Sequence, residues 1–295
     1  MPAIPGSISG LTTVCQGKTS VSYSVPVIAN ANSYRWTLPT GATGVSTTRT
    51  ITVDYSLAAV SGRISVRGVN EYGEGDSTFV AVVVNALPDK AGPITGAEMV
   101  CQGEKSVVYK TASIPGATSY RWTLPEGVTG VSNADTIKVD FSRTAMTDTI
   151  RVNGVNDCGL GVDTFIVVTV KPLPVISGGI VGSNNVCVGN QAVVYKVSTA
   201  TNAISYNWIL PNGTMGVSNV DSIAVDFAAN AVSGDIKVVA INDCGVSDTV
   251  KLAITVKPLI GSIGTITGEN TVCAGSRAVV YSIPTVDNAT KYIWT

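Results

Sequence analysis

Apolar and polar residues alternate with a period of two along most of the chain, in short runs broken by glycine, proline and asparagine. Val107, Tyr109 and Thr111 form one such run, and Thr136 to Phe141 another. The segments Ser119-Tyr120-Arg121-Trp122-Thr123-Leu124, Thr149 to Asn156 and Val162 to Val170 continue the pattern, and Ile94 to Val100 precedes them as a glycine-bounded first strand. A short strand near Val131 is also compatible with the spacing. Period-two alternation places every second side chain on one face of a strand, and a turn signal every 8–12 residues is the mark of a sandwich. No stretch of useful length has the 3.6-residue period of a helix.

The same pattern then returns. Cysteines stand at Cys15, Cys101, Cys187 and Cys273, and each step is 86 residues. Trp36, Trp122, Trp208 and Trp294 keep the same interval, as do Tyr23, Tyr109, Tyr195 and Tyr281, and Tyr34, Tyr120, Tyr206 and Tyr292. No insertion or deletion intervenes, which points to duplication of one module whose length is constrained. The predicted fold is all-β: tandem immunoglobulin-like β-sandwich modules forming an elongated rod. The expected boundaries are residues 1–88, 89–174 and 175–260, with residues 261–295 a fourth module reduced to its first three strands. About 40 residues is the size below which a domain rarely folds without help, so this last piece is expected to pack poorly. The Gly/Pro stretches Ala86 to Pro93, Lys171 to Gly179 and Lys257 to Gly264 are the expected linkers, short enough for neighbours to touch.

Composition narrows the function. With 45% hydrophobic residues and 13% charged, the chain can fill packed cores. A formal charge of -1 without a like-charge run gives no electrostatic basis for binding nucleic acid, and apolar runs such as Phe79 to Val84 are too short to insert into a membrane as a helix. Met1 to Pro5 lack the basic and apolar regions of an export signal, so the chain is expected to be a fragment whose signal lies upstream or was removed.

Chemistry has few candidates. There is no histidine, so the commonest general base and the Ser-His-Asp arrangement are missing, and neither a nucleophile elbow nor a phosphate loop is visible. The chain is read as non-catalytic and free of cofactors. Carboxylate pairs could be drawn at Asp135/Asp140 and Asp221/Asp226, but the first module has Arg49 and Asp54 there, and the aromatic that follows the second aspartate suggests a strand-end turn. Trp36, Trp122 and Trp208, with Tyr23, Tyr109 and Tyr195, are assigned to the core rather than to a ligand platform. Phe79 and Phe165 align with Lys251 and should point outward. Asn70, Asn156 and Asn242 each precede a glycine turn, for which a local hairpin role suffices.

The six cysteines admit three arrangements. Second cysteines occur at Cys158 and Cys244, with Tyr72 at the equivalent place in the first module. Cys101 and Cys158 would make the obvious pair within a module. In an immunoglobulin topology, however, the turn after the first strand and the last hairpin turn lie at opposite poles, roughly 25 Å apart for an eight-residue strand. A disulfide needs Cα atoms within about 7 Å. Head-to-tail stacking would instead bring Cys15 to Cys158 and Cys101 to Cys244, leaving Cys187 and Cys273 unpaired in this chain. Free thiols are the third arrangement. Either disulfide scheme implies an oxidising compartment, hence an extracellular or cell-surface location. A zinc site is disfavoured, since there is neither a histidine nor a Cys-x-x-Cys.

The run Ile94-Thr95-Gly96 leading to Val100-Cys101-x-Gly103, then Val107-x-Tyr109, Ser119-Tyr120-x-Trp122-x-Leu124-Pro125 and Val155-Asn156-Asp157-Cys158-Gly159, resembles the PKD-like repeat across essentially the whole chain. The resemblance implies a large secreted surface protein of Bacteroidetes-type bacteria, such as a gliding-motility adhesin exported by the type IX pathway. It also implies that Asp-Ser/Thr-apolar tripeptides could accept O-glycans, which singles out Thr136, Thr149, Ser222 and Thr249. The leading expectation is a stalk or spacer whose partners are its own neighbouring repeats and an unidentified surface ligand or protein. The rivals are a ligand- or glycan-binding array and an accessory region of a secreted hydrolase.

Overall fold

The computed structural model describes all 295 residues and contains strands but no helix. Repeat 1 comprises β1 (Thr13–Cys15), β2 (Val21–Ser24), β3 (Ser33–Thr37), β4 (Ala42–Thr43), β5 (Thr50–Tyr55), β6 (Gly62–Asn70) and β7 (Gly73–Asn85). Repeat 2 comprises β8 (Met99–Cys101), β9 (Val107–Lys110), β10 (Ser119–Thr123), β11 (Val128–Thr129), β12 (Thr136–Phe141), β13 (Asp148–Asn156), β14 (Gly159–Leu160) and β15 (Thr164–Lys171). These two repeats form one compact unit, Met1–Lys171. The second unit, Pro172–Thr295, holds repeat 3 and the fourth segment. Repeat 3 comprises β16 (Asn185–Cys187), β17 (Val193–Lys196), β18 (Ser205–Ile209), β19 (Thr214–Met215), β20 (Ser222–Phe227), β21 (Gly234–Asn242), β22 (Gly245–Val246) and β23 (Val250–Lys257).

Each full repeat is a two-sheet sandwich. In repeat 1 one sheet runs β1-β7-β6-β3 and the other β2-β5-β4, and repeats 2 and 3 reproduce this order. Alternation does the sorting: in β5, Ile51, Val53 and Tyr55 point inward while Thr50, Thr52 and Asp54 face solvent. Ile64 and Val66 of β6 meet them from the opposite sheet. The short strand expected near Val131 lies at Val128–Thr129, and Val131 itself is exposed.

The first strand differs from expectation in an instructive way. Instead of one strand over Ile94 to Val100, Thr95 bridges Lys110 in one sheet, and Met99–Cys101 then pairs in parallel with β15 in the other. Gly96 marks the crossing. A Cβ there would lie 2.3 Å from Cδ1 of Tyr109, whose ring is fully buried beneath it. The Tyr109 hydroxyl donates to the Ala97 carbonyl (2.9 Å), so the ring both floors and fastens the crossing. Tyr23 with Gly10 and Tyr195 with Gly182 repeat the device.

Two expectations about the core are refined. Tyr23, Tyr109 and Tyr195 are completely buried, but Trp36 and Trp122 are half-buried, and only Trp208 reaches 9% exposure. The tryptophans lie on β3, β10 and β18, each at the end of its sheet, where one flank faces solvent. Each indole N–H donates to the loop before the central strand of the other sheet, at Thr48, Ala134 and Val220. Tyr55, Phe141 and Phe227 end β5, β12 and β20 as the strand-end reading expects, each is fully buried, and the Tyr55 and Tyr23 hydroxyls are 2.7 Å apart.

Residues 258–295 contain no strand, only the bridge between Thr267 and Ser282. Tyr281 is 46% exposed and Trp294 55%, whereas the tyrosines equivalent to Tyr281 are at 0%. The segment lacks counterparts of β5, β6 and β7, so its apolar face has nothing to pack on.

Candidate functional site at the repeat junction

The register of β1 sets the geometry of the junction. Thr13, Val14 and Cys15 pair in parallel with Val83, Val84 and Asn85, and Val14 is buried. Cys15 therefore lies where β7 ends and the chain leaves repeat 1. Gln16 closes the corner: its N–H donates to Asn85 O, its Nε2 to Ala59 O, and its Oε1 accepts from Leu87 N–H.

Leu87 and Pro88 belong physically with the repeat that follows. Asp89 N–H donates to Pro115 O and Ala91 N–H to Val162 O. A Cβ on Gly161 would lie 2.5 Å from Pro88 O, and one on Gly154 would lie 2.9 Å from Pro88 Cβ, so glycine admits the incoming backbone. The segment expected to be a linker is thus seated on repeat 2 from Leu87 onward.

Asn156 completes the joint. Its Nδ2 donates to Ala86 O and to Gly116 O, both at 2.9 Å, while its Oδ1 accepts from Cys158 N–H. One side chain ties the end of the linker to the hairpin turn that carries Cys158. The local hairpin role read from sequence is present, and the grip on the preceding linker is additional; only the 70-residue separation hides it from sequence inspection. Asn242 makes the same bonds to Pro172, Asn202 and Cys244. Asn70 bonds Asn30 and Tyr72.

Cys15 and Cys158 meet across this joint as a disulfide, with Cα atoms 5.4 Å apart and 143 residues between them. The Cys158 Sγ lies 3.7 Å from Asn85 O, a packing contact, since a disulfide sulfur has no hydrogen to donate. Cys101 ends β8 beside Lys171, and Cys244 occupies the hairpin turn of repeat 3; neither is a free thiol. Cys187 and Cys273 are free and exposed.

The other candidates do not converge. Asp135 and Asp140 stand at opposite ends of β12, about 16 Å apart at the strand rise. Asp140 accepts the N–H of Ser106, whose φ is 57°, and pairs with Lys105 at 3.3 Å. The Ser106 N–H bond, followed by Lys105, holds its carboxyl below the usual range. Asp54 and Asp226 hold the left-handed Ser20 and Ala192 in the same way. Asp221 instead accepts from the Thr199 hydroxyl. These carboxylates pin a turn. Burial raises the hydroxyl pKa of Tyr109 to about 12 and those of Tyr23, Tyr55 and Tyr195 upward as well. Phe79 and Phe165 are more than half exposed, each under an arginine, Arg63 and Arg151. Of the four hydroxyls considered for glycans, Thr249 is exposed and Thr136, Thr149 and Ser222 are half-buried.

The sequence profile of the PKD-like domain matches residues 1–82, 87–168, 173–254 and 260–295. This chain belongs to the PKD-like domain family. The second, third and fourth matches open at 87, 173 and 260, so the family's own unit starts where Leu87 begins to pack on repeat 2. No curated protein sequence matches. Among solved structures, the I-band fragment I67–I69 of titin aligns at 15% identity and a TM-score of 0.37, covering 87% of this chain and 99% of that one. The eight N-terminal Ig domains of Down syndrome cell adhesion molecule align at 14% and 0.39, over 87% and 37%. The ectodomain of mouse nectin-like molecule 4 gives 14% and 0.38, over 84% and 97%. PKD-like modules in tandem, with a disulfide, fit an extracellular or secreted region of structural or adhesive type. No helix is long and apolar enough to cross a membrane.

Proposed function

We propose that these PKD-like repeats form a spacer of a cell-surface adhesin, in which covalent staples fix each module to the next. The observation that carries this reading is the Cys15–Cys158 bridge, which spends both sulfurs on a junction and none on a pocket. By the 86-residue repeat, Cys101–Cys244 is the next staple. The motif likeness favours a large secreted surface protein of Bacteroidetes-type bacteria. The partners of each module are then its own neighbours, and the ligand of the adhesin lies outside these repeats.

Peptide mapping of non-reduced protein should return Cys15–Cys158 and Cys101–Cys244 peptides; a Cys101–Cys158 peptide would overturn the scheme. A module is about 40 Å long at the strand rise. Small-angle scattering should therefore give three full repeats a largest dimension above about 120 Å, whereas side-by-side modules would give roughly half of that. A glycan array probed with the folded chain should stay blank. Saturable binding would favour the binding-array reading.

A further inference from the structure

The position of the Cys15–Cys158 bridge decides which strands tension passes through. We propose that it acts as a tension shunt: a pull along the chain enters through β1 of one repeat, crosses the sulfurs, and leaves through β15 of the next, bypassing both sandwich cores. This inference rests on the spacer reading, since only a tethered chain is pulled.

Consider a pull on Met1 against Lys171 with the bridge open. Repeat 1 is loaded between Met1 and Asn85, and the parallel pair β1–β7 is drawn in opposite directions, its register bonds sheared together. Once that pair parts, β2 to β7 unravel. Repeat 2 follows through the parallel pair β8–β15. With the bridge closed, tension arriving at Cys15 has a covalent exit at that residue, the last of β1, and never reaches β7. It re-enters at Cys158, immediately ahead of β14, and runs along β14 and β15 to Lys171. With this bridge as the one staple, strands β2 to β13 hang outside the path. The shunt works because the junction sets the last residue of β1 beside the hairpin turn preceding β14. A bridge inside either repeat would leave the junction and the neighbouring repeat in series with the pull.

The consequence is a fixed limit on length. A fully extended chain spans at most about 3.5 Å per residue. The 143-residue loop is replaced by a link of 5.4 Å between Cα atoms, so closing it removes about 500 Å of reach. Opening it is a two-electron reduction: a dithiol delivers two electrons and two protons, leaves two cysteine thiols, and itself becomes a disulfide.

The test is single-molecule force extension of the full chain held by cysteine-free peptide tags at its two ends, with and without a dithiol. The protein carries Cys101→Ser and Cys244→Ser, so that Cys15–Cys158 is the one staple present. The expected result is a fully stretched length about 500 Å shorter without reductant, with no unfolding step that releases the 143-residue loop. Adding Cys158→Ser should give the long value in both conditions. Equal lengths with and without dithiol would overturn the shunt. If the serine variant fails to fold, the unsubstituted chain serves: it must also gain about 500 Å on reduction, with the Cys15–Cys158 peptide confirmed in the starting sample. Blank glycan arrays and an extended scattering profile together with equal lengths would retire the shunt and keep the spacer. A bound glycan together with the 500 Å gain would do the reverse.

Discussion

Removing the staple should destabilise one repeat far more than its neighbour, and the loop lengths say by how much. The perturbation is the double substitution Cys15→Ser with Cys158→Ser. When both repeats are unfolded the bridge closes 143 residues, which by loop-closure entropy is worth about 5 kcal/mol. When repeat 1 alone opens, its chain is still anchored on repeat 2 from Leu87, so the closed loop runs from Cys15 to Leu87, about 70 residues and about 4.4 kcal/mol. If repeat 2 opens first, the loop from Leu87 to Cys158 is of the same size. Nearly all of the benefit therefore falls on whichever repeat opens first, and the second step gains well under about 1 kcal/mol. Each repeat has one tryptophan as a reporter: Trp36 for repeat 1 and Trp122 for repeat 2, each read with the other tryptophans changed to phenylalanine. Urea titration followed by fluorescence should show the earlier transition lose roughly 2–4 M in midpoint for a urea slope of about 1–2 kcal/mol/M, and the later one move little. Two unmoved transitions, or a larger shift in the later one, would refute the reasoning.

Gly96→Ala puts a Cβ 2.3 Å from the Tyr109 ring and should lower stability by about 1–3 kcal/mol in thermal melts, whereas Gly179→Ala, with nothing within 4 Å, should be silent. Asp140→Ala removes the acceptor that holds Ser106 at a φ of 57°. It should destabilise repeat 2, and less so with Ser106→Gly alongside, because glycine adopts that conformation without a Cβ penalty; equal losses in both backgrounds would contradict this. The depressed Asp140 pKa adds a contribution present above the unfolded value of 3.8 and lost as pH falls through the folded one, visible in acid titrations of the wild type but not of Asp140→Ala. Tyr109, raised from 10.0 to about 12, favours the folded state fully below pH 10 and progressively less as pH rises toward 12. Its tyrosinate absorbance should therefore appear together with alkaline unfolding, and ionisation ahead of unfolding would contradict the burial.

The sandwich and its period were legible in the sequence because alternation and turn residues are local, and because four copies let chance be separated from rule. Cys15 and Cys158 could be set against the alternatives by one global distance, the length of a strand, without knowing any side-chain position. What could not be read depends on contacts remote in sequence. Asn156 sits in an ordinary-looking hairpin, and its bond to Ala86 spans 70 residues. Asp140 and Asp226 drew attention as members of carboxylate pairs, yet they and Asp54 each serve a residue 34 positions away whose left-handed backbone has no sequence mark in Ser20, Ser106 or Ala192. The first strand was taken as continuous because the apolar run continues through it. Its change of sheet at Gly96 depends on where the Tyr109 ring lies.

The constant repeat length calls for a physical cause, because surface loops in a sandwich ordinarily tolerate insertions at little cost. With the second bridge proposed above, two covalent routes connect Cys15 to Cys244. One crosses to Cys158 and then follows the chain, and the other follows the chain to Cys101 and then crosses. Each contains 86 residues of chain. Equal routes share tension, whereas an insertion in one loop would slacken its route and place the whole pull on the other. Overlapping staples thus turn the length of every module into a mechanical variable, including loops that contribute nothing to a core. A four-residue insertion between Val45 and Ser46 lies within one route only, at an exposed position. It should leave thermal stability nearly unchanged while lowering the force at which the fully oxidised chain ruptures. An unaltered rupture force would mean that the two routes do not share the pull and that the constant length has another origin.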